Sequence, residues 1–156
     1  SSILLERDLG KEEAPMSIQS TVTGSCFCGE VEFTVAPPTL FCAHCHCSMC
    51  RRSHGAGFVT WFGVPYDEFA IRRGEEKIVK FQSSKHGTRT FCGTCGSTLF
   101  CESTNHPERI DIVLANMNNA IDRKPEFHVY FDDRAEWTEV EDGLPRLGGK
   151  TGVEAL

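Results

Sequence analysis

The stretch CAHCHCSMCRR, residues 42–52, carries the strongest indication of the fold. Four of the nine cysteines lie within nine positions here, and His44 and His46 lie between them. A hydrophobic core does not need thiols at this density, because its apolar side chains come from several packed elements. Thiols this close together are typical ligands of a soft or borderline metal, most often zinc. The stretch therefore predicts a metal site.

Length and composition indicate one globular domain. The chain has 156 residues, of which 40% are hydrophobic and 24% charged, which is ordinary for a soluble protein. A net charge of −6 argues against a nucleic acid as partner. No apolar run is long enough to span a bilayer, so no membrane partner is expected. The odd cysteine count and the C-x-C and C-x-x-C spacings predict metal-bound thiolates in a reducing, cytoplasmic setting.

The chain outside the cysteines has the pattern of a mainly β fold with little helix. Val31, Phe33 and Val35 alternate with polar residues, which is typical of a half-buried strand. Further strands are predicted at residues 58–62, 69–71, 78–81, 98–101, 110–114 and 127–131. Residues 69–71 and 78–81 are expected to pair around a turn at 74–76, and a single helical turn is expected at 47–52. We predict a flexible leader over 1–20, a zinc domain over 21–147 and a loose tail over 148–156.

Two short motifs far apart in the sequence predict a closed zinc site. CFCG (residues 26–29) and CGTCG (residues 92–96) both place a glycine directly after their second cysteine. Glycine reaches positive φ without steric cost, so the chain can turn its N–H groups toward sulfur. Cys26, Cys28, Cys92 and Cys95 would complete a tetrahedron around a structural zinc. The alternative is a redox dithiol at Cys92 and Cys95, but the βαβ setting of such dithiols is not visible.

The opening stretch predicts a second, different site. Cys45, Cys47 and Cys50 would supply three thiolates and leave a fourth position for water or a substrate atom. A rival ligand set adds Cys42 and closes the site. Spacing alone leaves both sets open.

Three motifs occur in the order GSCFCGEVEF (residues 24–33), CHCSMCRR (residues 45–52) and RTFCGTCG (residues 89–96). This order resembles the family of glutathione-dependent formaldehyde-activating enzymes, which also includes centromere protein V. The resemblance implies a mainly β, Mss4-like fold of short antiparallel strands with two Zn²⁺ ions per chain. It assigns the four-cysteine set to the structural zinc, and Cys45, Cys47 and Cys50 to a catalytic zinc with an open fourth position. Cys42 and Cys101 have no counterpart among those ligands and are expected to be buried or partly buried free thiols.

The resemblance also implies an activity, which is that of a carbon–sulfur lyase. The enzyme would condense glutathione with formaldehyde to give S-hydroxymethylglutathione. Arg51, Arg52 and Trp61 are candidate substrate contacts, although the two arginines could instead balance the charge of the zinc site. His54 is expected in an exposed loop, and His128 is expected to be structural. The alternative function is a non-catalytic, zinc-braced interaction module or a glutathione carrier.

Overall fold

The computed structural model describes residues 20–156, so the predicted leader, apart from its last residue, lies outside the described residues. This part contains twelve short strands, one α-helix and four 3-10 helices. The strands are β1 (Val22–Ser25), β2 (Glu32–Val35), β3 (Phe41–Cys45), β4 (Val59–Pro65), β5 (Phe69–Arg73), β6 (Ile78–Gln82), β7 (Gly87–Cys92), β8 (Thr98–Ser103), β9 (Arg109–Val113), β10 (Phe127–Val129), β11 (Leu147–Gly148) and β12 (Glu154–Ala155). The α-helix α1 is Ser48–His54, and the 3-10 helices are Tyr66–Glu68, Glu75–Lys77, Leu114–Asn116 and Phe131–Asp133.

The strands form two main sheets, which confirms the mainly β fold class. The smaller sheet has the order β1-β2-β5, and the larger has the order β10-β3-β4-β9-β8-β7-β6. A separate pair joins β11 to β12. The pairings are antiparallel, as expected, except that β10 runs parallel to β3. This exception places the end of β10 beside the cysteines that follow β3.

The main core lies between the two sheets. Val31, Phe33 and Val35 are each 0% exposed, as their period-two pattern predicts. The ring of Phe33 meets Phe100 of the larger sheet edge-on, with centroids 4.9 Å apart. Phe62 of β4 belongs to the same buried cluster. The apolar faces of the two sheets therefore pack against one another.

The predicted hairpin between residues 69–71 and 78–81 is wrong. Strand β5 pairs with β2 in the smaller sheet, whereas β6 pairs with β7 in the larger one. Gly74, with φ of 80°, and the 3-10 helix that follows it carry the chain from one sheet to the other. A Cβ on Gly74 would collide with the carbonyl oxygen of Glu30, so the crossing packs tightly against the turn between β1 and β2. Local sequence patterns identified both strands but not their partners.

The end of the chain contacts the segment after β10. The N–H of Tyr130 donates to the carbonyl oxygen of Gly152 at 2.9 Å, and the N–H of Gly149 donates to Asp132 at 3.1 Å. These bonds hold the β11–β12 pair, which lies largely within the segment predicted as a loose tail, against the domain. The domain boundaries themselves stay predictions. Within residues 20–156, no helix is long and apolar enough to cross a membrane.

Candidate metal centres

The first candidate centre is the four-cysteine cluster formed by Cys26, Cys28, Cys92 and Cys95. Their Sγ atoms all lie within 4.8 Å of one another. The sulfurs of Cys26 and Cys28 are 3.5 Å apart, and those of Cys28 and Cys92 are 3.9 Å apart. A tetrahedral zinc with Zn–S bonds of about 2.3 Å holds its sulfurs about 3.8 Å apart. The donor atoms and their spacing therefore fit one zinc ion.

Both turns of this cluster have the local geometry that the glycines predict. Gly29 and Gly96 have φ of 80° and 78°. The N–H of Val31 donates to the Sγ of Cys26 at 3.3 Å, as expected for a turn that directs amides toward a thiolate. The two turns also contact each other, since the N–H of Phe27 donates to the Oγ of Ser97 at 2.9 Å. The cluster thus joins the smaller sheet to the larger one.

The second candidate centre is the three-cysteine cluster formed by Cys45, Cys47 and Cys50. Their Sγ atoms lie within 4.8 Å of one another, and all three side chains are buried. Cys45 ends β3, Cys47 precedes α1, and Cys50 lies in the first turn of that helix. The Sγ of Cys47 accepts a hydrogen bond from the N–H of Cys50 at 3.3 Å, so a thiol caps the helix. The predicted helical turn becomes a seven-residue helix that ends at His54 and is capped by Gly55, where φ is 60°.

Cys42 is not part of this cluster. Of the two ligand sets that spacing left open, only the set without Cys42 has its sulfur atoms close together. Cys42 and Cys45 are three residues apart in β3, so their side chains point to opposite faces of the sheet. Cys42 packs in the core between the sheets, where burial raises its pKa to about 11. Burial likewise raises the pKa of Cys101 to about 11. Both thiols are free and stay protonated at neutral pH.

A buried arginine lies against the three-cysteine cluster. Arg89 is 7% exposed, and its Nη2 donates to the Sγ of Cys50 at 3.4 Å. Hydrogen bonds with Cys45 and Cys47 lower the pKa of Cys50, and the guanidinium of Arg89 lowers it further. The guanidinium of Arg89 therefore places a fixed positive charge beside the Sγ of Cys50 in a buried setting. Sequence reasoning missed this residue, although it opens the third motif.

Two buried histidines and an exposed carboxylate form a hydrogen-bonded chain that begins at His46, the residue between Cys45 and Cys47. The Nε2 of His46 lies 2.8 Å from the Nδ1 of His128, whose Nε2 lies 2.8 Å from the Oδ2 of Asp142. His46 and His128 are 0% and 1% exposed, and burial lowers the pKa of His46 to about 4. His44 contacts the Oγ1 of Thr60 at 2.8 Å. Neither His44 nor His46 belongs to a group of metal-ligand atoms in the described residues.

The predicted substrate contacts lie in different surroundings. The guanidinium of Arg51 already hydrogen-bonds within the protein. Its Nε donates to the carbonyl oxygen of His46 at 3.1 Å, and its Nη2 donates to that of Asp133 at 3.0 Å. Arg52 is exposed on α1. Trp61 is 6% exposed and packs in the same buried cluster as the three cysteines. The substrate role of these residues stays a prediction.

His54 differs from the exposed loop histidine that the sequence predicts. It is the last residue of α1, and its ring packs edge-on against Trp61 with centroids 5.3 Å apart. Burial lowers the pKa of His54. The helix extends beyond the predicted turn and therefore carries this ring inward, toward the wall of the cluster.

The sheets and the two cysteine clusters define a class, namely a mainly β protein with two candidate zinc centres. Comparison with known proteins identifies the family within that class. The family model described as glutathione-dependent formaldehyde-activating enzyme matches residues 21–133. The chain belongs to this family.

Individual relatives are distant. A Halomonas elongata protein named provisionally as a glutathione-dependent formaldehyde-activating enzyme is 28% identical over 126 residues, which cover 76% of this chain and 80% of the relative. An uncharacterised lyase of Schizosaccharomyces pombe is 30% identical over 89 residues, covering 53% of this chain and 58% of the relative. The crystal structure of a Rhodobacter sphaeroides protein superimposes with a TM-score of 0.54 at 26% identity, over 65% of this chain and 92% of that one.

Proposed function

We propose that the protein is a zinc-dependent carbon–sulfur lyase of the S-(hydroxymethyl)glutathione synthase type. It would join glutathione, as the small thiol, to formaldehyde. The observation that carries this proposal is the three-cysteine cluster, which offers three sulfur donors and no fourth ligand atom from the described residues. Family membership and the lyase name of the Schizosaccharomyces pombe relative support the reaction class.

Each cluster would have its own task. Cys26, Cys28, Cys92 and Cys95 would hold one Zn²⁺ as a brace, and Cys45, Cys47 and Cys50 would hold a second, for two ions per chain. Zinc at the second cluster would supply an electrophilic centre that favours the thiolate form of a bound thiol. We expect such chemistry in the cytoplasm, where glutathione is available.

The chain's own residues would prepare this site in two ways. The Arg89 guanidinium, 3.4 Å from the Sγ of Cys50, offsets the negative charge of three thiolates in a buried place. Trp61 closes one wall of the cluster with apolar surface, and His54 packs against it. The two rings would keep water away from one side of the cluster. The sulfur atoms would be held in a fixed arrangement because their residues lie at the end of β3 and around the capped start of α1.

The decisive experiment measures exchange between glutathione and its formaldehyde adduct by NMR, with zinc-loaded protein. We expect faster exchange than in buffer alone, and loss of that acceleration in Cys47→Ser. Cys42→Ala is the matched control, because Cys42 lies in β3 near the cluster but faces the core between the two sheets. This variant should catalyse exchange like the wild type. Exchange at the uncatalysed rate without glutathione binding would contradict the proposal. Binding without faster exchange would indicate a glutathione carrier instead.

A further inference from the structure

Arg89 has more hydrogen-bonding capacity than its protein contacts use. A guanidinium has five N–H donors on three nitrogens. Its Nη2 donates to the Sγ of Cys50, whereas its Nε and Nη1 are buried and have no partner among residues 20–156. Buried polar groups are nearly always hydrogen-bonded, and a buried charge with unpaired donors is costly. These two nitrogens are therefore available to an acceptor from outside the described chain, a water molecule or a ligand.

A second unpaired atom lies on the same wall. Five buried side-chain polar atoms in the described part of the chain lack a partner, and three of them belong to Arg89 and His54. The Nε2 of His54 is the third. Both residues pack on Trp61, Arg89 with its Cζ 5.9 Å from the ring centroid and His54 edge-on at 5.3 Å. The unpaired atoms are thus concentrated around one aromatic side chain at the three-cysteine cluster, rather than spread over the core.

We propose that Arg89 and His54 form an oxyanion subsite beside the three-cysteine cluster. It binds the oxygen of a ligand whose sulfur lies at that cluster, and only the identity of this ligand rests on the proposed function. When a thiol adds to an aldehyde, the carbon–sulfur bond forms, the π electron pair of the C=O bond moves to oxygen, and the thiol proton ends on that oxygen. Negative charge therefore develops two bonds away from the sulfur.

The position of Arg89 matches this demand. Its Nη2 contacts the Sγ of Cys50, and Nε and Nη1 belong to the same small planar group, so all three nitrogens lie close to that sulfur. Donors that are fixed before the reaction and kept from water stabilise a developing oxyanion more than solvent does. A role as counter-charge alone would use the contact to Cys50 and would give Nε and Nη1 no acceptor. Acceptor binding at these two nitrogens is therefore the distinguishing property.

The test uses formate as the probe, because it has one carbon and two oxygens but no thiol. Zinc-loaded, ¹⁵N-labelled wild-type protein is titrated with formate, and the Nε–H signal of Arg89 and the indole N–H signal of Trp61 are followed by NMR. We expect both signals to shift in a saturable way. Followed through Trp61, the affinity for formate should fall about tenfold or more in Arg89→Gln and by less in Arg89→Lys, which keeps the charge but not the fork.

Arg72→Gln is the matched control. Arg72 is an exposed arginine of the smaller sheet that hydrogen-bonds to Thr34, and its loss should leave formate binding unchanged. An Arg89 signal that does not move at saturating formate, or equal affinity in Arg89→Gln, overturns the subsite. The wild-type titration decides the matter even if a variant at Arg89 fails to fold. Formate binding without catalysed glutathione exchange would leave the subsite in place and refute the proposed function alone.

Discussion

At the scale of single residues, Asp142 fixes the protons of two buried rings. Its carboxylate accepts a hydrogen bond from the Nε2 of His128, 2.8 Å away. In a neutral His128 ring with its proton on Nε2, Nδ1 can only accept, and the Nε2–H of His46 is the donor that faces it. The Nδ1 of His46 is then left without a proton, and it is buried without a partner in the described residues. One partly exposed carboxylate thus orders a ring that sits between Cys45 and Cys47.

The first prediction changes this carboxylate to an amide. In Asp142→Asn the side chain can donate as well as accept, so it no longer fixes the tautomers of His128 and His46. We expect the ring ¹⁵N chemical shifts of both histidines to change, and zinc at the three-cysteine cluster to exchange faster with a chelator. Glu141→Gln removes the neighbouring exposed carboxylate and serves as control. Unchanged ring shifts in Asp142→Asn would show that the carboxylate does not set the tautomers.

At the scale of elements, the two glycine turns determine how the four-cysteine cluster is built. Each turn reverses the chain within a few residues, and its last position requires a left-handed backbone at Gly29 or Gly96. A Cβ at either position would meet no other atom within 4 Å. The requirement at these positions is therefore one of backbone conformation and not of space.

The second prediction concerns Gly96→Ala. An L-residue with φ near 78° costs about 1–2 kcal/mol relative to glycine, so the free energy of unfolding should fall by that amount. The measurement is urea unfolding at saturating zinc. Gly57→Ala is the control, since its φ is not positive and the nearest atom to a new Cβ, the Oγ1 of Thr138, lies at 3.4 Å. A loss at Gly57 as large as at Gly96 would contradict the conformational explanation.

The same scale shows what the sequence determines. Strand positions follow from alternation, which is local, and Val31, Phe33 and Val35 are buried as predicted. Strand pairing depends on contacts between distant parts of the chain, so local alternation could not show that β5 pairs with β2. The exclusion of Cys42 was within reach, because recognising residues 41–45 as a strand would have placed Cys42 and Cys45 on opposite faces. Asp142 was not, since it meets His128 through folding of the chain's last third.

At the scale of the whole molecule, the two cysteine clusters have different structural roles. The four-cysteine cluster joins the turn between β1 and β2, in the smaller sheet, to the turn between β7 and β8, in the larger. The three-cysteine cluster lies within six residues of sequence, at the end of β3 and the start of α1. A metal at the first cluster closes a long loop between sheets, whereas a metal at the second closes only a short one. Only the first should be needed for the fold.

The third prediction compares one cysteine from each cluster. Cys28 is exposed, so Cys28→Ser removes a ligand with little change in packing, whereas Cys47 is buried and Cys47→Ser places a hydroxyl in an apolar setting. Packing alone would make Cys47→Ser the more harmful change. We expect the opposite, because a structural zinc site is worth about 10 kcal/mol or more of folding free energy, and because a serine at position 47 can still cap α1.

Zinc content and thermal unfolding followed by circular dichroism check this prediction. Each variant should bind one zinc ion where the wild type binds two, but only Cys28→Ser should lose cooperative unfolding. Equal destabilisation in the two variants would mean that the metal at the three-cysteine cluster also supports the fold. A cluster that the fold does not require can leave one coordination position to a ligand, so a stable, folded Cys47→Ser protein would also remove a structural objection to an open zinc site.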